Sequence, residues 1–105
     1  MKKMINLTPH KVTLLVSSRE SIVLESKGQA RLTTDTIVVG NINGVSVTET
    51  VFGEVEGLPH PEQNTIYIVS RLIVESCKER RDLYFPNELI RDDKGIILGC
   101  KSISR

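Results

Sequence analysis

Ser70 and Arg71 are the two neighbouring residues whose types best suit the binding of an anion. Ser70 follows the apolar run 66–69 and precedes a segment with helical spacing, so it lies where a strand becomes a helix. The backbone N–H groups of a first helical turn point outward with partial positive charge, and a phosphate could accept from them, from the Ser70 hydroxyl and from the Arg71 guanidinium. No Gly-rich loop precedes Ser70, which excludes a nucleoside-triphosphate P-loop. The alternative is that Ser70 only caps the helix and Arg71 is solvated.

Arg80 and Arg81 are adjacent cations where the predicted helix ends. If the chain is extended there, their side chains point to opposite sides, so one of them assists an anion site and not both. A site shared with Arg71, at the other end of the helix, would need a returning loop or a second chain. The alternative role is to complement the dipole of the helix C-terminus.

Thr8-Pro9-His10 and His60 lie beside prolines, so the backbone fixes their directions. Fixed polar residues on loops are typical of binding sites, and we expect Thr8, Pro9 and His10 to shape a pocket wall. If that is correct, His10 contributes to ligand affinity; otherwise the tripeptide is only a turn. No Ser or Cys lies in a nucleophile motif and no carboxylates are paired at a recognisable spacing, so the sequence predicts no catalytic residue.

Aromatic side chains make up 4% of the chain. Proteins that bind single-stranded nucleic acid interleave many aromatics with a basic groove, and this composition does not favour that class. One ring could still stack on a single base, and Tyr67 is the candidate, although core packing is the expected role of both Tyr67 and Phe52. Glu49, Glu54 and Glu56 are expected on a solvated strand face.

The net charge of +1 argues against a binder of nucleic-acid polymers or membrane surfaces. Cys77 and Cys100 are the only cysteines, and two thiols without nearby histidines do not form a zinc site, so buried, reduced thiols and no metal or cofactor are expected. The apolar stretch in the N-terminal segment MKKMINL is too short for the core of a signal peptide or for a membrane span. These features predict a soluble cytoplasmic protein.

Short runs rich in Val, Ile and Thr, separated by Gly, Asn, Asp and Ser, predict a mainly β protein of the α+β class, with residues 1–105 as a single domain. Residues 45–52 alternate, which predicts a strand with one buried face, and Gly53 predicts a bulge or a close backbone approach. The 66–69 run predicts a strand covered on both faces. The predicted strands are 4–7, 11–16, 21–25, 30–32, 36–39, 45–52, 65–69 and 96–100, with a turn at 40–44 that joins two of them and a loop at 57–64.

A single helix is predicted at 71–79, with Ser70 as its N-cap and with Leu72, Ile73, Ser76 and Cys77 on its inner side. The chain then re-enters an extended path at 80–86, as a short strand or a turn. Residues 91–95 then predict a tight turn between two strands.

Several stretches together resemble a family of small proteins found in bacteriophages and prophages: INLTPHKV at 5–12, FGEVEGLPHPEQNTIYIVSRLIVES at 52–76, RRDLYFP at 80–86 and RDDKGIILGCKSIS at 91–104. The similarity covers most of the chain except 17–43. By size and phage character the chain also resembles anti-defence sponge proteins, of the anti-CBASS type that sequesters cyclic dinucleotides such as cyclic GMP-AMP. No ligand-contacting residue is carried over from that resemblance.

The resemblance implies a noncatalytic, homo-oligomeric binder, a dimer or a tetramer, of a phosphate-bearing nucleotide in the host cytoplasm. Pairing two copies suits a ligand with pseudo-two-fold symmetry. Two other functions stay open: a module that docks on a host or virion protein through an exposed β edge, and a small hydrolase with His10 or His60 as general base.

Overall fold

Six strands form one mixed sheet and two more form a separate hairpin in the computed structural model, which describes residues 2–105. Within these residues the elements are β1 (Lys3–Asn6), β2 (Val12–Leu15), β3 (Ser21–Leu24), β4 (Arg31–Ile42), β5 (Val45–Glu56), β6 (Thr65–Ile68), α1 (Arg71–Ser76), β7 (Leu83–Arg91) and β8 (Ile97–Ser104). The sheet order is β1-β6-β7-β8-β2-β3. The pairs β1–β6, β6–β7 and β2–β8 are parallel, and β2–β3 and β7–β8 are antiparallel hairpins. The predicted mainly β, α+β class is confirmed.

The core lies where α1 packs on the β1-β6-β7 part of the sheet. All four residues of β6 are buried between β1 and β7, which confirms that its continuous apolar run is covered on both faces. Burial of each large apolar side chain stabilises the fold by about 1.5–3 kcal/mol. The buried cluster consists of Leu7, Ala30, Tyr67, Val69, Ile73 and Leu83.

Asn6 is a polar residue inside this apolar region, and its side-chain amide is fully hydrogen-bonded. Its residue surface is 1% exposed. Nδ2 donates to the carbonyls of His10 (2.8 Å) and Leu24 (2.9 Å), and Oδ1 accepts from the Thr8 N–H at 2.9 Å. The Thr8 hydroxyl lies 2.6 Å from Oδ1 and 2.8 Å from the His10 carbonyl, and its one hydrogen donates to one of them. Asn6 therefore holds the turn after β1 against the end of β3.

Helix α1 begins as predicted and ends earlier. The Ser70 side chain accepts from the Ile73 N–H, which confirms the N-cap. The helix stops at Ser76 because Cys77 leaves the helical region, at φ −120° and ψ 57°. Ile73 is the buried residue of α1, whereas Leu72 is 52% exposed and Ser76 is exposed as well, so the predicted inward positions of Leu72 and Ser76 are wrong. A helix of fewer than two turns presents only a narrow stripe to the sheet, and Leu72 is turned about 100° from Ile73.

The β4–β5 hairpin differs most from the prediction. The predicted strands 30–32 and 36–39 are parts of one 12-residue strand, β4, which begins at Arg31, because Thr34 and Asp35 continue the ladder with β5 although they are polar. Asn43 and Gly44 both have positive φ, and they form the predicted turn. A register shift opposite Gly53, whose backbone approaches the Thr33 side chain, confirms the predicted irregularity.

The expected buried face of residues 45–52 is wrong for this chain. Every residue from 45 to 54 is exposed except Val47, which is half-buried. Phe52 is 52% exposed, so its predicted core position is wrong as well. The hairpin packs on the core only at its base, through Ala30, Leu32 and Val55.

No helix within residues 2–105 is long and apolar enough to span a membrane.

Asn6→Asp is expected to lower the free energy of unfolding by about 3 kcal/mol or more. The carboxylate keeps the acceptor for the Thr8 N–H but removes both donors, which leaves the His10 and Leu24 carbonyls without their partner and places a charge in the core. Urea unfolding at neutral pH measures the loss.

The matched control is Asn41→Asp in the exposed hairpin. Asn41 uses its side-chain oxygen to accept from the Gly44 N–H, a bond that aspartate keeps, so stability should change by less than about 0.5 kcal/mol. Equal stability losses in the two variants would contradict the role given to the Asn6 amide donors.

Candidate functional site: a cationic cleft beside helix α1

Four cationic side chains border one open cleft beside α1, which we call the cation cleft. Lys78, Arg80, Arg81 and Arg105 line it together with Val74 and Glu75, and its volume is about 730 Å³. Glu75 is the one acidic residue among these lining residues. A volume of this size is within the usual range for small-molecule sites. The cleft combines room for a small ligand with an excess of positive charge.

The fold brings Arg105 to this cleft by strand pairing. Ser104 of β8 pairs with Phe85 of β7, so the chain after β8 lies beside the start of β7. Arg81 lies two residues before that start. Residues 24 positions apart in the sequence therefore line one cleft, and neither composition nor local spacing could have predicted Arg105.

Arg80 is bound within the protein. Its Nε and Nη2 each donate to a carboxylate oxygen of Asp82 at 2.8 Å, and Nη2 also donates to the Pro59 carbonyl at 3.0 Å. The hydrogen bond from Arg80 lowers the pKa of the Asp82 carboxyl, while partial burial opposes that shift. Arg80 therefore fixes the 57–64 loop to the segment before β7, and its charge is largely compensated by Asp82.

Arg81, Lys78 and Arg105 make no ion pair among residues 2–105. Arg80 and Arg81 border the same cleft because the segment from 77 to 82 is a turn and not a strand, whereas an extended chain would place them on opposite sides. Lys78 lies within the predicted helix 71–79 and is not one of the predicted site residues. Its closeness in the sequence to Arg80 and Arg81 is the only signal for it.

Arg71 lies next to the cation cleft but does not line it. Its Nε is 3.0 Å from Glu75 Oε1, and its guanidinium lies 5.6 Å from the centre of the Phe85 ring. The side chain is 72% exposed, so this i,i+4 pair contributes a few tenths of a kcal/mol to stability at most. The ion pair affects the charge of the cleft, because Arg71 offsets the negative charge of Glu75 at its edge.

Thr8, Pro9 and Ser70 meet at a second, smaller cleft of about 230 Å³. Leu72 and Ile73 of α1 border it, whereas Val74 and Glu75 border the cation cleft, so the two clefts flank the same short helix. The sequence thus correctly grouped Thr8 and Pro9 with Ser70. It did not predict that Arg80 and Arg81 would lie at a different cleft.

His10, His60 and Tyr67 border neither cleft. Both histidines are exposed, and it is the backbone carbonyl of His10 that the Asn6 amide binds. Tyr67 is 1% exposed, which confirms its core role and leaves its ring without a free face for stacking, so its assignment to a ligand is corrected. Its hydroxyl lies 3.4 Å from the His60 carbonyl, and burial raises the pKa of Tyr67.

Cys77 is half-buried and Cys100 is buried, and both are free thiols. Burial raises the pKa of each thiol above its ordinary value. Both therefore stay protonated at neutral pH, which does not favour a role as nucleophile. Within residues 2–105 no group of three or more His, Cys, Asp and Glu side chains could hold a metal ion.

Comparison with known proteins gave no match: no protein-family model, no curated protein and no solved structure is significantly similar to this chain. The geometry of the site therefore carries the functional argument.

Asp82→Asn is expected to destabilise the protein at neutral pH and much less in acid. Because the folded-state pKa of Asp82 is lowered, the carboxylate contributes stability that is present above its unfolded pKa, near 3.8, and is lost as pH falls through the folded value. The difference in unfolding free energy between parent and variant should therefore shrink below about pH 4. Urea unfolding from pH 2.5 to 7 measures it.

Asp93→Asn, at an exposed carboxylate in the β7–β8 turn, is the control and should change the free energy of unfolding by less than about 0.5 kcal/mol at neutral pH. A constant Asp82→Asn difference across the whole range would show that Arg80 does not bind the charged form of Asp82.

Proposed function

We propose that this protein binds and sequesters a phosphate-bearing nucleotide, a cyclic dinucleotide, without altering it, and that it acts as a phage anti-defence sponge in the host cytoplasm. The observation that carries the proposal is the convergence of Lys78, Arg81 and Arg105 on the cation cleft without acidic partners among the described residues. Hydrogen bonds from arginine and lysine to phosphate oxygens are charge-assisted, so they are stronger than hydrogen bonds between neutral groups.

The roles of the cations differ. Arg81, Lys78 and Arg105 contact phosphate, and Arg81 supplies the forked, planar donor set that phosphate oxygens accept in pairs. Arg80 is a positioning residue, because its donors are used by Asp82 and Pro59. Arg71 acts through Glu75, whose negative charge it offsets at the rim of the cleft.

The smaller cleft is the proposed site for the rest of the ligand. It presents Thr8, Pro9 and Ser70 beside the apolar side chains Leu72 and Ile73. The nucleobase of such a ligand needs apolar contact area together with a few polar groups, and these residue types offer both. No catalytic residue is assigned, since His10 and His60 border neither cleft and the two thiols are protonated at neutral pH.

Arg81→Ala is expected to weaken the binding of a cyclic dinucleotide by about 10-fold or more, because it removes charge-assisted hydrogen bonds to phosphate. Lys78→Ala and Arg105→Ala should each weaken it by a smaller factor. Arg71→Ala should weaken it too, since Glu75 then loses its partner. Isothermal titration calorimetry with a panel of cyclic dinucleotides measures these changes.

The matched control is Arg19→Ala, an exposed cation in the turn between β2 and β3 that borders neither cleft. It should leave affinity within a factor of about two. No binding of any cyclic dinucleotide by the parent, or unchanged affinity in both Arg71→Ala and Arg81→Ala, would contradict the proposal.

His10→Ala separates the two roles considered for Thr8-Pro9-His10. Because Asn6 and Thr8 bond the His10 carbonyl and not its ring, the variant should fold and bind like the parent. Calorimetry and thermal unfolding check this result. A large loss of affinity with normal unfolding would instead place the His10 ring at the ligand.

Mass spectrometry of small molecules released by heating the purified protein tests turnover directly. A sponge releases intact nucleotide, whereas a hydrolase that uses His10 or His60 as general base releases a cleaved product. A module that docks on a host or virion protein releases no nucleotide and co-purifies with its partner in a fixed ratio.

A further inference from the structure

The β4–β5 hairpin, residues 31–56, is a long projecting arm with little contact to the rest of the chain. Each strand has 12 residues, which corresponds to about 40 Å at the usual rise per residue. From Thr34 to Glu54 every residue is exposed except Val47. The radius of gyration is 17.0 Å, against about 13 Å for a compact domain of this length. The arm accounts for this extended shape.

The arm exposes apolar side chains on both faces, and most of them share the face of Val45 and Val51, whereas Val38 and Phe52 lie on the opposite face. Val45, Val47, Glu49 and Val51 alternate on β5 and share that face, and the residues paired with them on β4 are Ile42, Gly40, Ile37 and Asp35. An isolated two-stranded hairpin is marginally stable in water, and an exposed apolar face of this kind usually marks an interface. The alternation that predicted a buried face is therefore real, but this chain alone does not cover it.

The total accessible surface supports a missing partner of substantial size. It is 7909 Å², whereas a folded monomer of 11.7 kDa exposes about 5,900 Å². The surplus of about 2,000 Å² exceeds the roughly 800 Å² that each partner buries in a standard interface. Such a surplus is typical of subunits that exchange an arm.

A second apolar surface lies on the sheet itself. Ile22, Leu14, Cys100 and Leu89 are successive pairing partners across β3, β2, β8 and β7, so they form a row on one face of the sheet. Ile22 and Leu89 are exposed, Leu14 is half-buried and Cys100 is buried. A groove of about 400 Å³ borders this row at Cys100 and Leu89, and Lys11 is the one charged residue that lines it. We call the row and its groove the sheet groove.

The charge of the arm favours docking on the sheet groove over packing against a second arm. Residues 32–55 contain Asp35, Glu49 and Glu54 and no Lys or Arg. All 14 basic residues of the chain lie outside that segment, with the ten remaining acidic ones. Two arms packed against each other would oppose Asp35 and Glu49 with their own copies, whereas an arm on the sheet groove places acidic residues near Lys11.

We propose that the arm of one copy docks its Val47 and Val51 face on the sheet groove of a second copy, and that the two copies exchange arms about a two-fold axis. The exchange gives each dimer two identical contacts. It covers the apolar face that the sequence pattern predicts as buried. The docked face and the sheet groove lie outside the two clefts beside α1, although the base of the arm, at Arg31, Leu32 and Thr34, borders the smaller cleft.

Analytical ultracentrifugation of the full chain tests the exchange. The parent should sediment as a dimer or an even multiple. Val51→Asp in the arm and Leu89→Asp in the groove should each weaken association by about 100-fold or more, since each places an unpaired charge in an apolar contact. Both residues are exposed in the single chain, so circular dichroism should show an intact fold. Thr48→Asp, on the opposite face of β5, is the control and should keep the parent mass.

Mixing the two variants distinguishes arm-to-groove docking from other arrangements. A mixed dimer has one intact contact, from the arm of the Leu89→Asp copy to the groove of the Val51→Asp copy, so the mixture should associate more strongly than either variant alone. A parent that is monomeric at all concentrations would overturn the proposal. A dimer that Leu89→Asp leaves intact would also overturn it and would indicate arm-to-arm packing. A monomeric parent whose arm binds a different protein would overturn it as well.

Discussion

The hydrogen bonds of the Asn6 side-chain amide are the interaction on which the arrangement of the six-stranded sheet depends. It lies in the core at the end of β1, and all its hydrogen-bonding groups have partners in the turn after β1 and at the end of β3. It therefore joins the two ends of the six-stranded sheet order, where β1 and β3 are the edge strands. A buried amide is tolerated in an apolar region only when it is fully bonded, so this network favours a single arrangement of those segments.

The same constraint sets the position of the smaller cleft. Asn6 fixes Thr8, and the N–H of Leu7 donates to the Ile68 carbonyl at 2.8 Å, which brings the turn after β1 beside the start of α1. On the other side of the helix, the Arg80–Asp82 pair fixes the turn that carries Lys78 and Arg81. Two hydrogen-bonded networks, and not the helix dipole of a six-residue helix, thus define the surroundings of the proposed site.

Stability is distributed unevenly over the molecule. The buried cluster lies under α1 and beneath the base of the hairpin, while β2, β3 and β8 have only partial cover on their apolar face. The arm adds a long ladder of backbone hydrogen bonds with almost no buried area, so its local stability in a single chain is low. An exchange of arms between two copies would cover both weak regions at once, because the apolar face of each arm would pack on the apolar face of the other copy's sheet.

The sequence by itself determined the mainly β class, the β6 strand, the Ser70 cap and the hairpin turn within 40–44, because short-range periodicity and turn chemistry decide these features. It did not determine that residues 31–42 form one strand, that Leu72 and Phe52 are exposed, or that Arg80 binds Asp82 while Arg81 and Arg105 share a cleft. Those features depend on pairing between segments far apart in the chain. Apolar periodicity shows which face of a strand is suited to burial, but only the tertiary structure shows whether the same chain covers that face.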